Sequence, residues 1–258
     1  MGLAVTMFTA GPLDNTDLVS IGFAGLSAAA GMLLTLATVG LNGRTRTAWT
    51  LIGAGVLAWG VGEVVWIIQA QTADGIPYPG LADYFYTAGY PLIFIGVILL
   101  PYLRPGRFER IRLAIDATAG AVSLAVVMWV AYLNDVVVVG ADPVETFLNL
   151  LYPFGDVLLA AALMVLAMRR SEQRLDLRIY ALAAGVALTT VADVVFSLQA
   201  VAETYVEWSW LDGIYLLSYA SFALTALFVA RPARTTESTY RAVRGWQLAA
   251  PYTAVIAL

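Results

Sequence analysis

The stretch AWTLIGAGVLAWGVGEVVWIIQA, residues 48–70, decides the fold. It carries one charged residue, Glu63, and no proline. At about 1.5 Å per residue, a helix of this length crosses a hydrocarbon core about 30 Å thick. Further apolar runs, bounded by charge or by Pro and Gly, lie near 19–41, 83–103, 112–133, 147–168, 179–200 and 209–230. A last run, 245–258, contains Pro251 and is too short to cross. These runs are helix-length, unlike the ~10-residue alternating segments of a membrane barrel. The expected fold is therefore all-α, a polytopic transmembrane helical bundle of about eight spans, the eighth cut short, with no soluble domain. The 258 residues are 60% hydrophobic and only 12% charged, more apolar surface than one soluble core buries. The N-terminus lacks the basic start and short apolar stretch of a cleaved signal peptide, so the first run reads as a retained span.

The chain has no Cys, His or Lys. Schiff-base chemistry on lysine and the usual haem, zinc and copper ligands are thereby excluded. No cofactor or resident metal is expected. Any ion bound by Asp and Glu alone would be a hard cation such as calcium or magnesium.

The arginines fall in alternate connections: Arg44 and Arg46; Arg104, Arg107, Arg110 and Arg112; Arg169, Arg170, Arg174 and Arg178; Arg231, Arg234, Arg241 and Arg244. The other connections hold only acids: Asp14 and Asp17, Asp74, Asp135 with Asp142 and Glu145, then Glu203 and Glu207. The positive-inside rule makes the arginine loops cytoplasmic and puts the N-terminus outside. The net charge of −4 thus conceals a molecule basic toward anionic inner-leaflet lipid and acidic outside, with nothing to suggest nucleic-acid binding.

Residues 48–70 also align without gaps to IYALAAGVALTTVADVVFSLQA, residues 179–200, one register later. At an offset of 130, Gly55 meets Gly185, Glu63 meets Asp193, Trp66 meets Phe196, and Gln69 meets Gln199. After a one-residue slip, Asp83 meets Asp212, Tyr86 meets Tyr215 and Tyr90 meets Tyr219. The first span falls on the fifth, Leu33, Leu36 and Ala37 over Leu163, Leu166 and Ala167, so the repeating unit is four helices. An even number of crossings makes the copies parallel. Residues 1–110 hold spans one to three, 111–133 complete the first repeat, and 134–258 form the second.

Six carboxylates lie within spans or at their ends: Glu63, Asp83, Asp116, Asp156, Asp193 and Asp212. Asp116 sits one helical turn from Arg112, an ordinary pair. The other five lie in the outer half or at outer ends, and Glu63 is roughly 22 Å from the inner boundary, beyond any arginine. An unpaired carboxylate at membrane depth costs about 2.5–3.5 kcal/mol or more. Three remedies exist: a proton; hydrogen bonds from Trp59, Trp66, Tyr84, Tyr86, Tyr90, Tyr152, Tyr215, Tyr219 or Ser218; or an outward-facing cavity holding a cation, an amine or another polar ligand. The plain reading is that Glu63 and Asp193 are symmetry-related structural knots. The sharper one makes Glu63, Asp83, Asp156, Asp193 and Asp212, with Trp66, Tyr86, Tyr90, Tyr215 and Tyr219, an acidic and aromatic site for a cationic or lipid-like ligand. Aromatics crowd PYPGLADYFYTAGYP, residues 77–91, and YVEWSWLDGIYLLSY, residues 205–219, where an interfacial belt equally accounts for them.

These segments, with RIRLAIDATAGAVSLAVVMWV, LLYPFGDVLLAAALMVL and ADVVFSLQA, resemble the polytopic membrane region preceding GGDEF and EAL domains in bacterial, notably actinobacterial, cyclic-di-GMP signalling proteins. The shared elements are the intramembrane acid before an aromatic, Pro-x-Pro with Ala-Asp-x-Phe-Tyr, Tyr-Pro-x-Gly-Asp on the fifth span and Ala-Asp-Val on the sixth. The resemblance implies a sensory and anchoring module in the bacterial cytoplasmic membrane, with a small-molecule or cation ligand on its outer side and the enzymatic output beyond residue 258. These residues carry neither output motif, so this chain is not expected to be an enzyme. The alternative is a small-solute or cation transporter built from the same repeats, although Gly60 and Gly62 offer only a weak helix break. Small residues at Ala28, Ala29, Ala30 and Gly31, and at Ala160, Ala161 and Ala162, suit close helix packing within a protomer or in a homodimer.

Overall fold

The computed structural model describes residues 15–72, 79–100, 143–169, 177–202 and 209–231, residues 204 and 206, and scattered positions between 115 and 130. Among them the chain is helical and has no strand. The long helices are α1 (Asn15–Leu36), α2 (Gly43–Thr72), α3 (Leu81–Leu99), α4 (Pro143–Arg169), α5 (Leu177–Val201) and α6 (Trp210–Ala230). Five of them, α2 to α6, contain segments long and apolar enough to cross a membrane, and α1 adds a shorter apolar segment, Ser20–Leu36. Asp116, the eighth apolar run and most of the fourth lie outside the described residues.

Helix ends follow local chemistry more closely than hydropathy. The helix expected over 19–41 stops at Leu36. The Thr38 hydroxyl donates to the Thr35 carbonyl at 2.7 Å, and the chain turns toward Gly43 at φ +55°, where a side chain would be strained. The next helix starts earlier than expected, so that Arg44 and Arg46 belong to its first turn. Helix α6 opens on a capping box, in which Asp212 Oδ2 accepts from Ser209 N at 2.8 Å, and α3 makes only the return half of one, Asp83 Oδ2 accepting from Gly80 N at 2.6 Å.

Each helix packs on its neighbour in sequence, and α6 returns to α1, closing a ring of six. The α1–α2 seam is built from small residues in antiparallel register. Ser27, Gly31 and Thr35 of α1 meet Gly60, Leu57 and Gly53 of α2 at backbone distance. Gly60 and Gly62 are therefore packing positions inside a continuous α2: Gly60 lies under Ser27, and Gly62 lies under the Tyr86 ring.

The bundle is apolar outside as well as inside, with a few polar side chains buried among the apolar ones. On α6, Ser218, Tyr219, Phe222 and Thr225 are buried, whereas Leu217, Leu224 and Leu227 on the opposite stripe are exposed. A helix in water shows the reverse; lipid is the solvent that suits this one.

At one end of the bundle, Arg44 Nε donates to the Leu99 carbonyl at 2.9 Å, and Arg178 Nε donates to the Phe228 carbonyl at 3.1 Å. In each pair an arginine at the start of one helix satisfies carbonyls that the end of the next leaves free. The Arg178 guanidinium also donates to the Arg231 carbonyl at 3.2 Å. Arg178→Ala is expected to lower stability in detergent by about 1 kcal/mol. Arg178→Lys should recover only part, because the two carbonyls are reached from separate nitrogens of a rigid planar guanidinium, a span that a single ammonium nitrogen does not reproduce. A thermal midpoint unchanged in the alanine variant would show the fork to be energetically idle.

Candidate functional site

Away from the arginine end, seven of the candidate carboxyl and phenol groups come together on α2 to α6. Glu63 lies late in α2 and Asp193 late in α5, each facing the bundle because one flank of its helix is held by a glycine contact. Gly55 abuts Ile93 of α3, and Gly185 abuts Phe222 of α6. Tyr219 Oη donates to Glu63 Oε1 at 3.2 Å, and the Tyr86 phenol lies beside this carboxyl. Tyr215 Oη donates to Asp193 Oδ1 at 2.6 Å, and Tyr90 Oη donates to Asp156 Oδ1 at 3.0 Å. Tyr152 donates to Asp83 Oδ1 from α4 to α3.

Asp156 is wholly buried, and its second oxygen, Oδ2, accepts from no donor. The Asp156 and Asp193 carboxyls lie side by side.

Aromatic rings wall this centre. Trp59 stacks edge-on against Tyr90 at 5.3 Å between centroids and lies 6.1 Å from Phe222, and its indole N–H donates to the Tyr86 carbonyl at 3.0 Å. Phe23 of α1 and Phe222 stand edge-on to Tyr219, each at 6.2 Å. Trp66 packs against the core beside them.

The sequence-predicted residues divide accordingly. Glu63, Asp156, Asp193, Tyr86, Tyr90, Tyr215 and Tyr219 form the centre. Asp83 and Asp212 are occupied at helix starts, where each accepts from the N-cap backbone N–H, Asp83 with a further bond from Tyr152. Tyr84, considered as a donor, is 76% exposed and faces away. Sequence reasoning overlooked the cap difference between the two helix starts. Gly80 has no side chain, so Gln69 Oε1 takes the Ala82 N–H at 3.4 Å. Ser209 Oγ takes the equivalent Leu211 N–H at 3.3 Å, and Gln199 Oε1 has no partner among the described residues. The signal was Ser209-x-x-Asp212, a capping box legible in the sequence.

Among the described residues, no group of three or more acids is placed to hold a metal ion. Their chemistry is that of carboxyls, phenols and indole: proton exchange, hydrogen bonding and attraction of positive charge.

Fold and site together define a multi-pass helical membrane protein with a buried carboxyl–phenol centre. No protein-family model, curated protein or solved structure matches the chain.

Proposed function

We propose that this chain is the membrane input module of a bacterial signalling protein, built from two parallel repeats with the N-terminus outside, whose acid cluster responds to a stimulus arriving from the outer side. The stimulus class is a small polar, cationic or lipid-like ligand. The output is a GGDEF or EAL domain carried beyond these helices, as the resemblance implies.

The repeat reading is supported by contacts that recur at the sequence offsets. Gly55 against Ile93 repeats as Gly185 against Phe222, and Arg44 on Leu99 repeats one helical turn displaced as Arg178 on Phe228. Glu63 beside Tyr86 repeats as Asp193 with Tyr215, and the bond from Gly80 N to Asp83 corresponds to that from Ser209 N to Asp212. The contacts between halves, α3 on α4 and α6 on α1, are the pair that a two-fold axis would exchange.

One observation carries the functional reading: the phenol–carboxyl bonds cross between halves. Tyr219 reaches Glu63, Tyr90 reaches Asp156, and Tyr152 reaches Asp83. A stimulus that binds these acids better in one packing of the halves than in another shifts the population between them, which is the requirement for transmission.

The test begins with the natural reading frame beyond codon 258. If it encodes an output domain, diguanylate cyclase or phosphodiesterase activity is measured in membranes for the wild type and for the Glu63→Gln, Asp193→Asn double variant. The expected result is altered output at unchanged expression. Output indifferent to both substitutions would overturn the role of these acids, and a stop codon with substrate uptake by proteoliposomes would establish transport instead.

A further inference from the structure

The Asp156–Asp193 pair is the one place in the described bundle where a buried acceptor faces another acceptor. Asp156 Oδ1 takes the Tyr90 hydroxyl, whereas Oδ2 has no donor and its carboxyl meets that of Asp193, whose Oδ1 takes the Tyr215 hydroxyl. The groups facing the pair from every neighbouring helix are phenols or acids: Tyr90 from α3, Tyr215 from α6, and Glu63 of α2, itself beside Tyr86 and bonded by Tyr219. Asp212 stands beyond Glu63. Among the described residues no cation faces them. Arg44 and Arg178 are engaged with carbonyls at the far end, and the chain has no lysine or histidine.

We infer that Asp156 and Asp193 form a proton-binding site, in which one bound proton supplies the donor missing at Asp156 Oδ2 and ties α4 to α5. The balance is simple: the pair binds one proton from water as a dicarboxylate of charge −2 and becomes a hydrogen-bonded monoanion of charge −1. Two bare carboxylates in contact in a low-dielectric interior repel strongly, and a proton removes that repulsion while making a bond. The inference takes the acid cluster as the proposed input site and names its occupant. It is tested on bound protons and not on output, so that either proposal can fail alone.

Linkage fixes the sign. The folded state holds one proton that the unfolded chain, with its carboxyls in water, does not hold near neutrality. Stability therefore falls as pH rises through the range where the folded pair retains its proton, by about tenfold in the unfolding equilibrium constant per pH unit. An amide at either position supplies N–H where the proton was, and its carbonyl can still accept from the tyrosine. Asp156→Asn and Asp193→Asn should each fold and lose this pH dependence.

The experiment is infrared spectroscopy of the purified chain in lipid nanodiscs, following the C=O stretch of a protonated carboxylic acid and its shift on deuteration, with thermal unfolding across the same pH series. The expected result is a deuterium-sensitive band that loses intensity in Asp156→Asn and keeps that component in Glu63→Gln, with a stability slope shallower in the Asp156→Asn variant than in the wild type. A band unaffected by both Asp156→Asn and Asp193→Asn overturns the site. So does failure of both amide variants to fold while Tyr215→Phe folds, because the amide would then have failed to replace the proton.

Discussion

Gly31→Ala is expected to lower the stability of the folded chain by about 3 kcal/mol, the upper end of the cost of overpacking. A Cβ added at Gly31 would lie 2.2 Å from Leu57 Cα and 2.3 Å from Leu57 N. These are backbone atoms in the middle of α2, and no rotamer change removes them. Only separation of α1 from α2 makes room. The neighbouring contacts of the seam resist that separation: Gly53 would meet Thr35 N at 2.7 Å, and Gly60 would meet the Ser27 carbonyl at 2.5 Å. In lipid the loss is not offset by burying the freed surface elsewhere, since packing and not hydrophobicity holds membrane helices together. Gly22→Ala and Gly25→Ala on the same helix are the controls. Nothing lies within 4 Å of either added Cβ, so these variants should match the wild type or gain up to about 1 kcal/mol from better helix propensity. Thermal unfolding in one detergent compares all three, and a Gly31→Ala midpoint equal to the controls would mean that the seam is not as close as described.

The same seam shows what a sequence reveals and what it withholds. Apolar length places α2, α5 and α6 within a few residues, because the cost of leaving backbone groups unpaired in lipid is nearly independent of side-chain detail. It places the end of α1 less well, since Thr38 and the turn before Gly43 override hydropathy there. The register brings Glu63 and Asp193, and the two tyrosine pairs, to comparable depths on facing helices. Which phenol serves which acid was not legible, because that depends on helix rotation and on one methylene. Glu63 reaches Tyr219 of the other half directly. The shorter Asp193 does not accept from Tyr90; Asp156 of α4 stands between them and takes that hydroxyl instead. The proximity of Asp156 to Asp193 joins acids of α4 and α5 that the alignment of residues 48–70 with 179–200 does not pair, so it was not legible in that alignment.

Two pairs of residues that the sequence alignment places at the same offsets pack in different ways, which yields the second large effect. Trp59 and Gly89 correspond at the repeat offsets to Thr189 and Ser218. In the first half a large ring lies over a residue without a side chain, and a Cβ at Gly89 would fall 2.2 Å from Trp59 Nε1. In the second half two small hydroxyl residues meet, Thr189 Oγ1 at 2.6 Å from Ser218 Oγ, and Ser218 bonds the Gly185 carbonyl at 3.0 Å. Trp59→Thr alone is expected to cost about 3–5 kcal/mol, the range for emptying a buried tryptophan site. It removes contacts with Tyr90 and Phe222 and the bond to the Tyr86 carbonyl. Gly89→Ser alone should cost about 1–3 kcal/mol, because the indole cannot yield to the new side chain. In the double variant each change relieves the other: the serine enters space the indole has left, and the two hydroxyls can bond as Thr189 and Ser218 do. The combined loss should therefore be smaller than the sum by about 2 kcal/mol, within the range of coupling for residues in contact. The double variant still lacks the Trp59 ring contacts and remains below the wild type. Strict additivity, to within about 0.5 kcal/mol, would deny that the two positions share one geometry and would weaken the parallel-repeat reading at its most specific contact.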